Sequence, residues 1–193
     1  HVEPCKYSLW NSQIFLVGKP NGQHRLVVDG RMVNKNLIQD SYNLPKIRTL
    51  LDNMHECNWL SSFDFTSSFT QISLQNSSKP VTAFSCNNKR MQWTRMTMGM
   101  LNSSAEFSRC IQQLFSYVPF DSLCIYVDDL CLGSLTEQEH LKRLRFILER
   151  LTWGNFKLSP SKTKLFRKEL TFVGHKISNC LLYTSDAADD LLC

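Results

Sequence analysis

Two adjacent carboxylates interrupt one of the most apolar stretches of the chain. Asp128 and Asp129 separate Leu-Cys-Ile-Tyr-Val from Leu-Cys-Leu, so residues 123–127 and 130–132 are predicted to be short strands on either side of a turn. Two neighbouring negative charges repel each other and are costly to remove from water. A divalent cation that prefers oxygen ligands, such as Mg²⁺, would offset that cost. The alternative for the dipeptide alone is a solvated hairpin turn.

A second acidic residue stands at the end of another apolar run. Asp64 lies at the end of a strand predicted over residues 59–65. An aspartate in a central strand rarely lacks a partner. If the two strands are neighbours, we expect Asp64 and Asp128 to meet. Such a group of carboxylates could hold two metal ions roughly 3.5–4 Å apart.

The remaining apolar patterns predict an α+β fold with a mainly antiparallel sheet, because strands and helices follow each other in mixed order. Further strands are predicted at 14–17, 25–29, 81–85, 91–96 and 170–177, with an extended segment at 71–74. Helices are predicted at 45–55, from an N-cap at Ser103 or Ser104, and from an N-cap at Thr136 with the apolar stripe Leu141, Leu144, Ile147, Leu148 and Leu151.

Charge and cysteine content narrow the possible partners and compartments. The net charge of +5 suits a polyanionic partner, although solubility alone also explains it. The eight cysteines form no Cys-x-x-Cys pair and no zinc-ligand spacing, which indicates free thiols in a reducing compartment. No apolar run reaches the ~18 residues of a membrane span, so we expect no membrane partner.

The last 13 residues differ in character from the rest. Residues 181–193 carry three aspartates and no Lys or Arg, and they continue no upstream pattern. We interpret them as a non-native tail, such as translated adapter or vector sequence.

The motif Tyr126-Val127-Asp128-Asp129 resembles the Y-x-D-D motif of reverse transcriptases, which are RNA-directed DNA polymerases. Seven further blocks resemble that family in the same order, especially gypsy-type LTR retrotransposon and retroviral pol sequences. The blocks are Arg25–Lys35, Tyr42–Ile47, Phe63–Ile72, Thr82–Phe84, Met96–Phe107, Glu139–Leu141 and Phe172–His175. They extend over roughly residues 8–178.

The resemblance implies a right-hand polymerase fold that contains fingers and palm. Fingers would comprise residues 1–43 and 76–103, and palm residues 44–75 and 104–180. The thumb, connection and RNase H segments would be separate parts of the same polyprotein. The resemblance also implies an intracellular protein, acting in a cytoplasmic retroelement particle.

The resemblance further implies the catalytic residues Asp64, Asp128 and Asp129, with Lys162 as general acid for pyrophosphate. The metal ligands would be Asp64, Phe65, Asp128 and Asp129, holding two Mg²⁺ ions for which Mn²⁺ could substitute. The partners would be dNTPs and an RNA or DNA template with its primer strand.

Contacts to the nucleotide and to the primer are also implied. The nucleotide-binding residues would be Lys19, Arg25, Ser67, Ser68, Phe69, Met98 and Gly99, with Phe69 as the aromatic gate that selects deoxynucleotides. The primer grip would be Phe172, Val173, Gly174 and His175.

Five positions depart from the family pattern: Gly18, Gly30, Ser68, Thr97 and Ser104. Two functions therefore stay open. One is a polymerase fragment, and the other is a degenerate, inactive remnant with at most non-specific nucleic-acid binding. An unrelated Ca²⁺ or Mg²⁺ loop protein is disfavoured, because the acidic residues lack EF-hand spacing.

Overall fold

The computed structural model describes residues 1–18, 22, 24–54, 56–118, 121–178 and, by backbone alone, 182–184. The strands are β1 (Val2–Pro4), β2 (Ile14–Gly18), β3 (His24–Val28), β4 (Trp59–Asp64), β5 (Phe84–Cys86), β6 (Lys89–Trp93), β7 (Leu123–Tyr126), β8 (Asp129–Ser134), β9 (Lys164–Arg167), β10 (Glu169–Phe172), β11 (His175–Ser178) and β12 (Leu182–Thr184). The α-helices are α1 (Arg31–Asn34), α2 (Ile47–Asp52), α3 (Ser103–Leu114) and α4 (Glu137–Trp153). Helices and antiparallel sheets together confirm the predicted α+β class.

The chain forms two compact units. The first comprises His1–Tyr42 and Ser67–Phe107, and the second comprises Asn43–Thr66 and Ser108–Cys193. The predicted fingers and palm segments differ from these units at residues 67–75 and 104–107, which lie in the first unit, and at residue 43, which lies in the second. The fingers and palm boundaries stay a prediction.

Two small sheets organise the first unit. Strands β2 and β3 form the predicted antiparallel hairpin, and β1, β6 and β5 form a three-stranded sheet. Val28, Phe84 and Trp93 are buried together in its core. The strand predicted at 81–85 is partly wrong, because Lys79–Thr82 form a 3₁₀ turn. Pro80 lacks an N–H for a strand ladder and fixes a backbone angle that suits this turn.

A four-stranded antiparallel sheet, in the order β7-β8-β4-β9, is the centre of the second unit. Side chains alternate between its faces, as the strand period requires. On one face, Ser61 of β4 contacts His140 of α4. On the other face lies a core cluster of buried residues from the sheet, from α2 and from the β10–β11 hairpin. The cluster comprises Leu51, Met54, Cys57, Leu60, Cys124, Cys131, Leu170, Phe172 and Ile177.

The predicted start of α4 is confirmed, whereas the predicted stripe of buried residues is partly wrong. Thr136 caps the helix by accepting a hydrogen bond from the Glu139 N–H. Leu141 and Leu148 are exposed, whereas His140 is fully buried. His140 takes a core position because its two ring nitrogens lie 2.7 Å from serine hydroxyls on β4 and β8.

Two other local predictions need correction. Helix α3 begins at Ser103, whose hydroxyl donates to the Thr97 carbonyl at 2.8 Å instead of capping the helix. Gln71 belongs to a second 3₁₀ turn, Ser68–Gln71, and not to an extended segment.

The buried cysteines agree with the prediction of free thiols. Cys57, Cys124 and Cys131 are buried and unpaired by disulfides. Burial raises the pKa of the Cys124 thiol to about 12, so the thiol stays protonated. Within the described chain, no helix combines the length and apolarity that a membrane crossing requires.

Candidate active site

Strand pairing brings the predicted carboxylates to one end of the sheet. Asp64 ends β4, Asp129 begins β8, and the two are Cα partners in the antiparallel ladder. Asp128 lies beside Asp129 in the turn that follows Tyr126. The predicted meeting of the two acidic segments is thus observed, although the register partner of Asp64 is Asp129 and not Asp128.

The turn that carries Asp128 holds a strained residue. Val127 has a φ of +53°, a left-handed conformation that is unusual for a β-branched side chain. Such a conformation costs on the order of 1–3 kcal/mol and persists only where the surroundings impose it. Cys124 and Leu130, which are buried in the flanking strands, anchor the hairpin. Strain of this kind is typical of functional turns.

Negative potential accumulates at this hairpin. Partial burial of the carboxylate raises the pKa of Asp129, and the charges of Asp128 and Asp64 raise it further, while Lys162 opposes the change. Asp129 nevertheless remains exposed as a residue, so solvent screens part of the repulsion. The arrangement favours a cation or a proton at this position.

Lys162 supplies one positive charge to the site. Its Nζ lies 3.2 Å from Oδ2 and 3.3 Å from Oδ1 of Asp64. The loop that carries Lys162 is fixed by backbone contacts, because the Ser159 N–H donates to the Asp64 carbonyl at 2.7 Å. The Asp64 N–H donates to Thr163 Oγ1 at 3.5 Å. Sequence reasoning missed Ser159 and Thr163, although Ser and Pro in this segment are typical of turns.

The donor chemistry of the three carboxylates fits a hard divalent cation, because such ions take oxygen ligands. Among the described residues, however, no group of three His, Cys, Asp or Glu side chains is arranged closely enough to hold a metal ion. Phe65, a predicted ligand, is buried, bridges to Leu158 and packs its ring edge-on against Phe156 at 5.7 Å.

Three of the predicted nucleotide-binding residues lie together in the first unit. Arg25 Nη1 donates to Met98 Sδ at 3.4 Å. The next residue, Gly99, has a φ of +94°, and a Cβ there would lie 2.6 Å from the Val28 carbonyl oxygen. Lys19 lies outside the described residues.

Asn34 fixes the loop that carries Met98, and sequence reasoning missed this role. Its Nδ2 donates to the Gly99 carbonyl at 2.8 Å, and its Oδ1 accepts from the Leu101 N–H at 2.9 Å. A Cβ on Gly30 would lie 2.2 Å from the Gly99 carbonyl oxygen. The absence of a side chain at Gly30, a departure from the family pattern, therefore permits this close approach. The position of Asn34 inside the Arg25–Lys35 block is the signal that could have indicated it.

The predicted residues of the Ser67–Phe69 segment form a tight turn in the first unit. Ser67 has a φ of +51°, and the following Ser68 is buried. Phe69 packs edge-on against Phe107 with ring centroids 5.7 Å apart. The left-handed residue is thus Ser67, one position before the family glycine that Ser68 replaces.

The predicted primer grip is the turn of the β10–β11 hairpin. Val173 and Gly174 have φ values of +47° and +76°, and the flanking Phe172 and His175 are Cα partners. Two positive φ values are typical of a type I′ turn, which joins antiparallel strands closely. Val173 and Tyr126 both pack against the same core cluster. The acidic hairpin and the predicted primer grip therefore share one support.

Comparison with known proteins identifies the family of the chain. A model of the family "Reverse transcriptase (RNA-dependent DNA polymerase)" matches residues 17–177. The Retrovirus-related Pol polyprotein from transposon 412 of Drosophila melanogaster is 34% identical over 197 residues, covering 99% of this chain and 16% of that protein. The Enzymatic polyprotein of Cauliflower mosaic virus (strain CM-1841) is 35% identical over 159 residues, covering 82% of this chain and 23% of that protein.

Solved structures show the same fold. The foamy viral protease-reverse transcriptase in complex with dsDNA matches with a TM-score of 0.86 and 30% identity, covering 96% of this chain and 38% of that chain. The same type of protein in complex with an RNA/DNA hybrid matches with a TM-score of 0.83 and 30% identity, covering 92% of this chain and 24% of that chain. The chain thus spans less than a quarter of the length of the two polyproteins above. The family model and these relatives show that the chain belongs to the reverse transcriptase family.

Proposed function

We propose that this chain carries the nucleotidyl-transfer centre of a retroelement Pol polyprotein. It would extend a primer 3′-hydroxyl with dNTPs while copying an RNA or DNA template. The observation that carries the proposal is the register pair Asp64–Asp129 with Asp128 beside it. Structural relatives bound to dsDNA and to an RNA/DNA hybrid support a nucleic-acid partner.

The acidic residues would hold the metal ions of this reaction. Asp64, Asp128 and Asp129, together with Phe65, would bind two Mg²⁺ ions, for which Mn²⁺ could substitute. When bound, two such ions supply charge stabilisation for the attacking and leaving oxygens of an in-line displacement. The raised pKa of Asp129 supports the need for added positive charge at this position.

Lys162 would act as the proton donor to the pyrophosphate leaving group. Its ammonium group is held beside Asp64 by a loop whose backbone is bonded to β4. A charged donor positioned in this way requires little reordering before proton transfer. The exposure of the Lys162 side chain, 68%, leaves it accessible to a substrate.

The nucleotide contacts that the resemblance implies would bind the incoming dNTP. Arg25 would bind the triphosphate together with Lys19, because guanidinium and ammonium groups pair with phosphate oxygens. Phe69 would select deoxynucleotides, and the Met98–Gly99 loop would contact the nucleotide. The turn Phe172–His175 would position the primer. The thumb, connection and RNase H segments of the same polyprotein would complete the enzyme, which we place in a cytoplasmic retroelement particle.

Departures from the family pattern favour a second candidate, a decayed copy whose fold outlasts its chemistry. Ser68, Thr97 and Ser104 each stand where the family pattern has another residue. Such a remnant would bind nucleic acid at most non-specifically through its net positive charge.

Primer extension on poly(rA)·oligo(dT) with Mg²⁺ and dTTP separates these candidates. The chain would be joined to a related thumb and RNase H and compared with an Asp128→Asn, Asp129→Asn variant. Extension by the parent that disappears in the variant supports the polymerase. A folded chimera that binds primer–template but extends nothing supports the remnant.

A further inference from the structure

An irregularity in β9 changes which side chains face the active-site side of the sheet. Lys164 is the Cα partner of Ser62, and Arg167 is the partner of Leu60. The two residues between Lys164 and Arg167 therefore oppose a single residue, Ser61, which is a β-bulge. Phe166 within the bulge has a φ of +51°, and its N–H donates to Ser61 Oγ at 3.1 Å.

The bulge places two basic residues on the face that carries Asp64. In a regular strand, residues three positions apart point to opposite faces. The extra residue returns Arg167 to the face of Lys164. Their partners in β4 are Leu60 and Ser62. Leu60, Ser62 and Asp64 are spaced two residues apart, so their side chains point to the same face of the sheet. Lys168, one position further, lies on the other face, with its Nζ 3.4 Å from the Trp59 ring centroid.

Two more lysines extend this arrangement along β4. Lys162 contacts Asp64, and the Lys157 carbonyl accepts the Thr66 N–H at 3.0 Å. We define the basic row as the four exposed residues that lie beside alternate positions from Leu60 in β4 to Thr66, two residues after its end. They are Lys157, Lys162, Lys164 and Arg167. No acidic residue occurs between 157 and 168.

The length of the basic row identifies its partner. The six residue steps from Leu60 to Thr66 extend about 20 Å at roughly 3.3 Å per extended residue. A nucleic-acid strand carries one phosphate per nucleotide along its whole length, so a row of this length can contact several successive phosphates. A nucleoside triphosphate offers only three. The row also follows β9, an edge strand that pairs only with β4 among the described strands, so a polyanionic strand can approach it.

We infer that the basic row binds the sugar-phosphate backbone of a nucleic-acid strand. The inference rests on the proposed polymerase function and specifies a contact surface for its template or primer. Contacts to phosphate fix the position of a strand without reading its sequence, as a polymerase requires. Because Lys162 is already engaged with Asp64, Lys164 and Arg167 are the residues through which the surface can be tested.

The test is fluorescence anisotropy with a fluorescein-labelled RNA/DNA hybrid over roughly 50–200 mM KCl. The row variant is Lys164→Gln, Arg167→Gln. The matched control is Lys142→Gln, Arg145→Gln, which removes two exposed charges from α4, on the opposite face of the sheet. The slope of log K against log salt should fall in magnitude by about 2 in the row variant, because two phosphate contacts are lost. The control should retain the parent slope within about 0.5.

Equal slopes for the row variant and the control would overturn the inference. It would also be overturned if the row variant kept the parent slope but bound dTTP more weakly, since the row would then be a polyphosphate site. Primer extension separates this inference from the proposed function. If the row variant has a smaller salt slope but the parent chain extends no primer, the basic row is supported and the polymerase function is not. If the salt slope is unchanged but the parent chain extends a primer, only the basic row is refuted.

Discussion

Asp64 and Asp129 face each other as Cα partners at the end of the ladder that joins β4 and β8, the two inner strands of the central sheet. Directly opposed like charges destabilise an antiparallel pair. Partial burial raises the pKa of Asp129, and the charges of Asp128 and Asp64 raise it further. The site therefore costs stability in the absence of a cation, and this cost has consequences that can be measured.

Asp129→Asn should stabilise the metal-free protein. The change removes one of three neighbouring charges, and we expect the free energy of unfolding in EDTA to rise by about 0.5 kcal/mol, since solvent screens the exposed group. Urea denaturation would measure the change, with Asp121→Asn, an exposed loop substitution, as control. A loss of stability in Asp129→Asn would show that the carboxylate makes a favourable interaction in the apo protein.

Lys162→Gln should lower the rate of nucleotide addition without unfolding the protein. A positioned general acid contributes about 10²–10⁴ to the rate, so we expect a loss of at least ~100-fold in kcat. The ion pair with Asp64 is exposed and contributes only about 0–1 kcal/mol, so the melting temperature should change little. Steady-state and single-turnover incorporation would measure kcat and the KM for dTTP, with Lys168→Gln as control. A raised KM with unchanged kcat would assign Lys162 to binding.

The acidic hairpin and β4 could be predicted from the sequence because apolar runs that end in aspartate are unusual and local. The pairing of Asp64 with Asp129 could not, because register depends on contacts between segments far apart in the chain. β9 was missed for a related reason. Its bulge breaks the alternation of apolar and polar residues on which strand prediction depends.

The roles of some side chains inside helices could also not be predicted from the sequence. His140 occupies a core position because hydroxyls on two distant strands reach both ring nitrogens. The family resemblance included His140 but assigned it no function. Helix α1, only four residues long, is too short for periodicity to reveal. The hydrogen bond from its Asn34 to the Gly99 carbonyl depends on the folded position of the Gly99 loop, which the sequence does not show.

The hydrogen bonds around His140 define its protonation state. Phe166 N–H donates to Ser61 Oγ, so the Ser61 hydroxyl is available to donate to Nε2. Ser134 Oγ donates to the Thr136 carbonyl at 3.2 Å, so it can accept from Nδ1–H. This chain of donors fits the neutral imidazole, and burial lowers the pKa of His140 to about 4 from its ordinary 6.5.

Stability should therefore fall on mild acidification. Between pH 6.5 and about 4 the unfolded chain binds a proton that folded His140 does not, so the free energy of unfolding decreases as pH falls through this window. The full loss is about 3 kcal/mol, and stability is retained above pH 6.5. Urea titrations at pH 7, 6 and 5 on the parent and on His140→Asn would isolate the effect. Identical pH slopes would show that His140 is not the group responsible.

Gly30→Ala should disrupt the loop that carries Met98. The added Cβ would meet the Gly99 carbonyl oxygen at 2.2 Å, so backbone must move, at a cost of about 2 kcal/mol. Gly18→Ala is the matched control, since nothing lies within 4 Å of a Cβ there. Thermal unfolding of both variants checks the prediction. In the polymerase assay the KM for dTTP should rise only in Gly30→Ala. Equal melting temperatures and equal KM values for the two variants would contradict the importance of the close contact between Gly30 and Gly99.

The most direct test of the central claim is Mn²⁺ binding to the chain, followed by electron paramagnetic resonance, for the parent, Asp64→Asn and Asp121→Asn. Two Mn²⁺ ions should bind to the parent and to Asp121→Asn. Asp64→Asn should lose at least about tenfold in Mn²⁺ affinity, which corresponds to about 1.4 kcal/mol. Unchanged Mn²⁺ binding in Asp64→Asn would contradict the claim that Asp64 and Asp129 form a common metal site.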